Sequence, residues 1–283
     1  MELTGTQQIE QLIDRALAED LGWGDVTTEA LVTDDQQGKA SITAKAKGIA
    51  AGTEAAKQVF LRVDPKLKVD ILVDDGAEVK PGDIIAKIEG KVASILKAER
   101  VALNFLQHLS GIASETARYV EAVKGLPVQI TDTRKTTPGL RALEKHAVQA
   151  GGGRNHRMHL GDGILIKDNH LAALRRQGLT LKEIIARARQ KASAELKVEV
   201  EVKTPQEASE AAEAGADIIM LDNMDLQNMR QAVRLIKGRA LVEASGGITL
   251  DKVRAVAETG VDLISVGALT HSAKALDISL ELD

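Results

Sequence analysis

The amino-acid sequence predicts an α/β protein in which an N-terminal α/β sandwich domain precedes an incomplete TIM-like (β/α) barrel with fewer than eight parallel strands. Two observations carry this prediction. In the first part of the chain, apolar and polar residues alternate between tight glycine turns, as in antiparallel strands. From residue 127 onward, short apolar runs are each followed by a helical segment, as in parallel strands joined by crossover helices. The predicted domains are residues 1–112 and 113–283, with an extreme C-terminus that is free to pack back on the first domain.

Three segments predict the N-terminal domain. Residues 7–20 carry apolar side chains at helical spacing and therefore predict a helix. Residues 39–50 predict a strand. Residues 68–90 alternate with period two and are interrupted at Asp75-Gly76 and Pro81-Gly82, which predicts strands joined by tight turns. The domain should therefore contain an antiparallel sheet.

Six apolar runs predict the barrel, and they follow a long helix predicted over residues 92–124. The last four runs begin about 20 residues apart, which suits compact strand–helix units, and helical patterns over 205–214, 225–237 and 250–259 suit the crossovers. The runs are VQITDT, GILIKDNH, KVEVEVK, DIIMLDN, ALVEASGG and DLISVGA. A barrel is the leading architecture, although a doubly wound open sheet fits the same strand count.

The composition of the 283 residues excludes several classes of function. The chain has no cysteine, so disulfides, zinc–thiolate sites and a cysteine nucleophile are ruled out. The formal net charge is −4 and only four residues are aromatic, which argues against a surface for nucleic acid. No run is long and apolar enough to span a membrane, and the N-terminal segment lacks the apolar core of a signal peptide. We therefore expect a cytoplasmic protein that binds neither nucleic acid nor membrane.

Charged, polar or glycine residues that could take part in binding or catalysis end each of the six runs. In a parallel barrel the carboxyl ends of the strands meet at one opening, so these residues should lie together. Glu199 and Glu201 are two apart on one predicted strand and should share a face. The ends of the other five runs are Asp132-Thr133-Arg134-Lys135, Lys167-Asp168-Asn169-His170, Asp222, Ser245-Gly246-Gly247 and Val266-Gly267-Ala268.

Cations are concentrated between Arg134 and His170 in a chain that is acidic as a whole. Arg134, Lys135 and Lys167 each follow a strand of the buried type, and a buried cation needs an anionic partner. A bound carboxylate or phosphate is the simplest partner, and an internal ion pair with Glu201 or Asp222 is the alternative. For the other members of the cluster we favour a solvated face or a packing role; they are Arg141, Lys145, His146, His159 and His170.

Two further features suit a phosphate-bearing substrate. Glu201 and Asp222, on neighbouring strands, could bridge Mg²⁺ through water, because Mg²⁺ prefers oxygen ligands. The glycine turns at 245–247 and 266–268 expose backbone N–H groups at the last two strands, where barrels commonly bind phosphate. Ordinary strand-to-helix turns remain the alternative for the glycines.

Three long motifs closely resemble those of the quinolinate phosphoribosyltransferase (carboxylating nicotinate-nucleotide pyrophosphorylase) family. They are TDTRKTTPGLR at 131–141, GGGRNHR at 151–157 and LIKDNH at 165–170. Shorter matches occur at 99–100, 109–113, 221–223, 245–247 and 265–271, so the resemblance covers essentially the whole chain.

The resemblance implies that quinolinate and 5-phosphoribosyl 1-pyrophosphate react, with Mg²⁺ and without an organic cofactor, to give nicotinate mononucleotide, pyrophosphate and CO₂. It also implies a homodimer or higher homo-oligomer in which Arg100 reaches the neighbouring subunit's site. The residues implied to surround quinolinate and pyrophosphate are Thr133, Arg134, Lys135, His156, Arg157 and Lys167. Glu201 and Asp222 would take the ribose hydroxyls and the metal side, with Ser245, Gly246, Gly247, Val266, Gly267 and Ala268 on the 5-phosphate. Among these, Arg134, Lys135, Lys167, Glu201 and Asp222 are the predicted catalytic residues.

Three other functions are compatible with parts of the sequence. A paralogous phosphoribosyltransferase associated with molybdenum transport would act on another acceptor, although the DTRKTTPG and NHR runs favour quinolinate. A barrel lyase or aldolase would use Lys167 or Lys203 as a Schiff-base amine. A noncatalytic phosphate-binding barrel would not need six chemically equipped strand ends.

Overall fold

The computed structural model describes residues 5–193 and 195–283. Helices and strands alternate along the whole of this described chain. The helices are α1 (Gly5–Leu21), α2 (Val26–Leu31), α3 (Thr53–Val63), α4 (Val92–Ala122), α5 (Arg141–Ala150), α6 (Asp168–Arg175), α7 (Leu181–Lys191), α8 (Pro205–Glu213), α9 (Leu226–Ile236), α10 (Val253–Ala257) and α11 (Ala268–His271). The strands are β1 (Gln37–Ala44), β2 (Gly48–Ile49), β3 (Lys68–Ile71), β4 (Glu78–Val79), β5 (Ile84–Lys91), β6 (Gln129–Thr131), β7 (Ile164–Ile166), β8 (Val198–Val202), β9 (Ile218–Asp222), β10 (Leu241–Ser245), β11 (Leu263–Ser265) and β12 (Ile278–Leu282).

The chain folds into two compact units, both of which are discontinuous in sequence. The first unit contains residues 1–117, 136–152 and 268–283, and the second contains residues 118–135 and 153–267. The chain therefore returns to the first unit twice, once for α5 and once for α11 and β12.

The first unit is an α/β unit built on an antiparallel sheet with the strand order β12-β1-β5-β3. Alternate side chains of β1 are buried, including Ala40 and Ile42, as expected for a sheet with one covered face. Helix α1 packs on α3, whose Val59 and Phe60 are fully buried. The last strand, β12, pairs along β1 from Ala40 to Ala44.

The elements of the first unit differ from the sequence prediction at two places. Residues 39–50 do not form one strand, because β1 ends at Ala44 and β2 pairs with β4 instead of continuing β1. Helix α3 was not predicted at all, since small residues such as Ala55 and Ala56 make up much of its buried face and blur the apolar period. The turns at Asp75-Gly76 and Pro81-Gly82 and the long helix α4 are confirmed.

The second unit is a curled sheet of six parallel strands in the order β6-β11-β10-β9-β8-β7. The order follows the sequence from β7 to β11 and ends with β6, without the reversal that defines a doubly wound sheet. Thr131 of one edge strand and Ile164 of the other line a common cavity with residues of the four inner strands, so the sheet curves round on itself. A barrel with fewer than eight strands is confirmed.

Short capped connections place the carboxyl ends of the strands at one rim. Thr204 follows β8 and accepts a hydrogen bond from the backbone N–H of Glu207, which caps α8. Asp225 follows β9 and caps α9 in the same way through the N–H of Asn228. Across the residues that the model describes, no helix combines the length and apolar character needed to cross a membrane.

Candidate active site

A cavity of about 510 Å³ opens at the carboxyl ends of the six parallel strands in the second unit. Ten of the residues predicted from the sequence line it: Thr133, Arg134, Lys135, His156, Arg157, Lys167, Glu201, Asp222, Ser245 and Gly246. The other lining residues are Leu165, Asp168, Asn169, Met220, Asn223, Glu243 and Ser265. The convergence of strand ends expected of a parallel barrel therefore occurs.

Backbone register brings four of the strand ends to one level. Ser245 of β10 lies opposite Asp222 of β9 on one side and Ser265 of β11 on the other. Ser265 in turn lies opposite Thr131 of β6, directly ahead of the polar segment that contains Arg134. The side chains that follow these strands consequently project around one opening.

Two cations of the cavity form no ion pair with any residue that the model describes, although carboxylates also line it. Arg134 is half-buried, whereas Lys135 and Lys167 are exposed, so the buried position expected for the two lysines is wrong. In the described part of the chain, neither Arg134 nor Lys167 forms an ion pair, and the buried Nε of Arg134 has no hydrogen-bond partner. Burial and the neighbouring Arg134 lower the pKa of Arg157, which places the two guanidinium groups close together. An internal salt bridge, the alternative considered for Arg134 and Lys167, is not formed. A bound anion would complete both groups.

Carboxylates also line the cavity, among its cations. Burial and the nearby carboxylates of Asp222 and Asp168 raise the pKa of Glu201, and the opposite effects of Lys167 and Lys203 are smaller. Lys203, 58% exposed, forms an ion pair of 3.4 Å with Asp168. The strand ends thus bring cations and carboxylates into one cavity, where carboxylate oxygens suit a divalent cation.

His156 lies at the base of the cavity against two buried carboxylates. Its Nε2 is 3.2 Å from Glu199 Oε2 and 3.6 Å from Glu243 Oε2. Burial lowers the pKa of His156, but the two carboxylates outweigh burial and raise it to about 10. The backbone N–H of Arg157 also lies 2.8 Å from Nδ1, where it donates a hydrogen bond that only an unprotonated Nδ1 can accept.

The carboxylates and this backbone hydrogen bond favour different charge states of His156. A pKa rise from 6.5 to about 10 corresponds to about 5 kcal/mol in favour of the charged ring. The hydrogen bond from the Arg157 N–H favours the neutral ring, so it opposes the effect of the two carboxylates. His156, Glu199 and Glu243 together also have the composition of a metal site. The base of the cavity is therefore a cluster of one histidine and two carboxylates.

Comparison with known proteins identifies the family. Residues 25–110 match the model of the quinolinate phosphoribosyl transferase N-terminal domain, and residues 112–281 match that of the C-terminal domain. The chain belongs to the quinolinate phosphoribosyltransferase family. This membership confirms the resemblance seen in the DTRKTTPG and NHR motifs.

Individual relatives agree with the family assignment over nearly the full chain. The chain is 44% identical over 275 residues to the probable carboxylating nicotinate-nucleotide pyrophosphorylase of Bacillus subtilis, covering 97% of this chain and 93% of that protein. The crystal structure of NadC from Streptococcus pyogenes is 45% identical, with a TM-score of 0.93 and coverage of 100% and 99%. The nicotinate-nucleotide pyrophosphorylase structure from Francisella tularensis is 36% identical, with a TM-score of 0.92 and coverage of 99% and 98%.

Five of the residues predicted for this quinolinate phosphoribosyltransferase site are not among those that line the cavity. Arg100 lies on α4 in the first unit, where its side chain is 58% exposed. Gly247 is exposed, Val266 is buried behind the strand ends, and Gly267 is half-buried. Ala268 begins α11 in the first unit. Their roles stay predictions.

The sequence interpretation missed several residues of the cavity. Glu243 was not predicted, although it precedes Ser245 by two positions on β10 and must share its face. Asn223 follows the predicted Asp222 directly, and only the three-dimensional arrangement shows that it belongs to the cavity. Asp168 and Asn169, which were expected at the opening as part of a strand end, do line the cavity. Arg141, Lys145 and His146 belong to the first unit and are not among the residues that line the cavity.

Proposed function

We propose that this protein transfers the phosphoribosyl group of 5-phosphoribosyl 1-pyrophosphate to quinolinate with decarboxylation, giving nicotinate mononucleotide, pyrophosphate and CO₂. The observation that carries the proposal is a strand-end cavity in which Arg134 and Lys167 form no ion pair with any described residue, in a chain that matches both domains of the family. Quinolinate has two carboxylates and its co-substrate has a phosphate and a pyrophosphate. These ligands would repel each other without several fixed positive charges.

Quinolinate fits the cations of the cavity. Arg134 and Arg157 can each hold a carboxylate through paired N–H donors, and Lys135 and Lys167 add point charges. Thr133 supplies a hydroxyl at the same rim, and His156 lies at the base of the cavity as a further polar contact. We assign these six residues to quinolinate and pyrophosphate binding.

Mg²⁺ fits the carboxylates of Glu201 and Asp222. The pKa of Glu201 is raised partly because the carboxylate of Asp222 is near, and a divalent cation between them would relieve this repulsion. Glu201 and Asp222 would hold Mg²⁺, directly or through water, together with the ribose hydroxyls. When bound, Mg²⁺ supplies neutralisation of charge on the departing pyrophosphate. A Glu201→Gln protein should therefore bind phosphoribosyl pyrophosphate more weakly and respond less to Mg²⁺ in calorimetric titrations.

The 5-phosphate is assigned to the backbone of the last two strand ends. The turn Ser245-Gly246-Gly247 and the segment Val266-Gly267-Ala268 are the two predicted phosphate contacts. The N–H of Val266 already donates to the carbonyl oxygen of Thr131 at 2.9 Å, so it cannot serve the phosphate as well. Only Ser245 and Gly246 of these line the cavity, so they carry the main support for this part of the assignment.

The chemistry requires one substitution, one bond cleavage and one protonation. The bond from the ribose anomeric carbon to pyrophosphate breaks, and the pyridine nitrogen of quinolinate forms a bond to the same carbon. The resulting pyridinium nitrogen withdraws electrons from the neighbouring carbon, so the bond from that carbon to its carboxylate breaks and CO₂ leaves. A proton from solvent then takes the place of CO₂. The residues of the cavity contribute by orientation and by fixed charge.

We further propose a homodimer or higher homo-oligomer in the cytoplasm, in which Arg100 is donated to the cavity of the neighbouring subunit. Arg100 is exposed, and its nearest carboxylate is that of Glu99, 4.0 Å away, so the guanidinium is available to an anion. A donated arginine would add a further cation to a site that binds highly charged substrates.

Product analysis tests the proposed reaction. Purified protein incubated with quinolinate, phosphoribosyl pyrophosphate and Mg²⁺ should form nicotinate mononucleotide and CO₂ in equal amounts. Nicotinate in place of quinolinate is the control, and it should give little product because one carboxylate is missing. Product from nicotinate but not from quinolinate would refute the assigned acceptor.

Mixed dimers test the donation of Arg100. An Arg100→Ala protein and a Lys135→Ala protein should each be inactive, and mixing them should restore part of the activity because a hybrid dimer contains one complete site. If subunits exchange but no activity returns, the shared site is wrong.

A further inference from the structure

Asn223 occupies an unusual backbone conformation beside the proposed substrate site. It follows the last residue of β9 directly and lines the cavity. Its φ angle is 52°, and among the non-glycine residues that the structure describes, only Lys237 also has a positive φ. Asparagine tolerates this left-handed region better than most residues, because its short amide side chain can bond locally.

Two hydrogen bonds connect Asn223 to neighbouring strands. Its backbone N–H donates to the carbonyl oxygen of Ser245 at 2.9 Å, which joins the end of β9 to the end of β10. Its side-chain Nδ2 donates to Oδ1 of Asp222 at 2.8 Å. The amide therefore holds one of the two carboxylates assigned to the ribose and metal side.

The same amide lies flat against Gly246. A Cβ atom built on Gly246 would overlap the Oδ1, Cγ and Nδ2 atoms of Asn223, and the glycine has a φ of 98°. Position 246 thus requires a glycine, because its φ is positive and because the Asn223 amide leaves no room for a Cβ atom. One side chain contacts both the carboxylate of Asp222 and the turn assigned to the 5-phosphate.

We propose that Asn223 is a positioning residue that couples the Asp222 carboxylate to the Ser245-Gly246 turn, so that ribose and 5-phosphate are held at a fixed separation. The proposal rests on the assignment of phosphoribosyl pyrophosphate to this cavity. Without the amide, Asp222 loses a hydrogen-bond donor beside an already crowded carboxylate, Glu201. The turn at Gly246 also loses its packing contact with the Asn223 amide.

An Asn223→Gly protein tests the proposal without straining the backbone, since glycine adopts a positive φ freely. Loss of a hydrogen bond to a charged group should raise both the KM and the calorimetric Kd for phosphoribosyl pyrophosphate about tenfold or more. The Kd for quinolinate and the thermal midpoint should change little. Lys237→Gly is the matched control, because it relieves the same backbone conformation outside the cavity and should leave both constants as in the wild type.

A double-mutant cycle tests the contact with Gly246. Gly246→Ala alone should weaken phosphoribosyl pyrophosphate binding, because the new methyl group collides with the Asn223 amide. On the Asn223→Gly background the collision is gone, so the same substitution should have a much smaller effect, while the strain from positive φ is equal in both backgrounds. Equal effects in both backgrounds would overturn the coupling.

The proposed reaction and the positioning role of Asn223 can be refuted independently. Wild-type protein that forms no nicotinate mononucleotide would refute the reaction. Wild-type protein that forms it, together with an Asn223→Gly protein whose Kd for phosphoribosyl pyrophosphate is unchanged, would refute only the positioning role. An equal rise in the Kd for both substrates would also refute it, because a general disturbance of the cavity predicts that result.

Discussion

Arg134 and Lys167 are the residues whose charges most clearly call for a ligand, since neither forms an ion pair within the described chain. Arg134 is half-buried and Lys167 is exposed in the free protein, and bound quinolinate would cover both. Truncating one partner of a charge pair that is buried on binding commonly costs about 2–5 kcal/mol. Arg134→Ala and Lys167→Ala should therefore lower quinolinate affinity by about 30-fold or more in calorimetry and abolish turnover. The thermal midpoint should stay within a few degrees. Arg176→Ala, an exposed cation of the same unit, is the control and should behave as wild type.

His156 should make the free energy of unfolding depend on pH. Its pKa is raised from 6.5 to about 10 in the folded protein, so the folded state binds the proton more tightly than the unfolded state. The resulting stabilisation is fully present below pH 6.5 and is lost as the pH rises from 6.5 through about 10. Denaturant titrations should show the free energy of unfolding falling by a few kcal/mol over this window. In a His156→Gln protein the fall should be much smaller, and parallel curves for the two proteins would contradict this assignment.

Gly111 of helix α4 lies so close to another backbone segment that a larger residue would not fit. A Cβ atom on Gly111 would overlap the backbone carbonyl oxygen of Lys274, in the segment between α11 and β12 of the first unit. Backbone has little freedom to move away, so Gly111→Ala should destabilise the protein by about 2 kcal/mol or more. Scanning calorimetry should show a drop of several degrees in the thermal midpoint. Gly161→Ala is the control, since its Cβ would meet only the His159 ring at 3.9 Å, and equal midpoints for both variants would contradict the packing described.

The strands and helices of the second unit could be predicted from sequence, whereas the assignment of α5 and β12 to the first unit could not. Each apolar run of the barrel is continuous, ends in a polar or glycine residue and is followed by a helix, so local pattern sufficed. The return of α5 and β12 to the first unit depends on tertiary contacts that no local pattern encodes. For the same reason the sequence showed the cationic cluster at 134–170 but not its division between two units.

The residues of the cavity could be predicted from sequence where their position at the end of a strand determines the direction of the side chain. Arg134, Lys167, Glu201 and Asp222 follow or end barrel strands, and the geometry of a parallel barrel brings them together. The roles of Asn223 and Glu243 depend on contacts across strands, which require the register of β9, β10 and β8. Sequence spacing alone gives the face of a strand but not the neighbour across from it.

At the scale of the whole molecule, the first unit exposes large apolar side chains that the proposed dimer would cover. Trp23 is fully exposed, and Val26 and Leu31 are 75% and 78% exposed within nine residues of it. If these side chains lie in the proposed dimer interface, Trp23→Asp should shift the protein from dimer to monomer in analytical ultracentrifugation. Activity should fall with it, most strongly at low protein concentration, because the site is expected to need Arg100 from the neighbour. Trp23→Phe should preserve the dimer, and a wild-type protein that is monomeric at micromolar concentration would contradict the proposal.

The cations at the carboxyl ends of the barrel strands should bind a dianionic pyridine. A crystal structure with quinolinate bound would show this binding. Both carboxylates should lie inside the strand-end cavity, in contact with the guanidinium of Arg134 and the ammonium of Lys167. Quinolinate bound elsewhere on the protein, with these two side chains turned toward solvent, would contradict it.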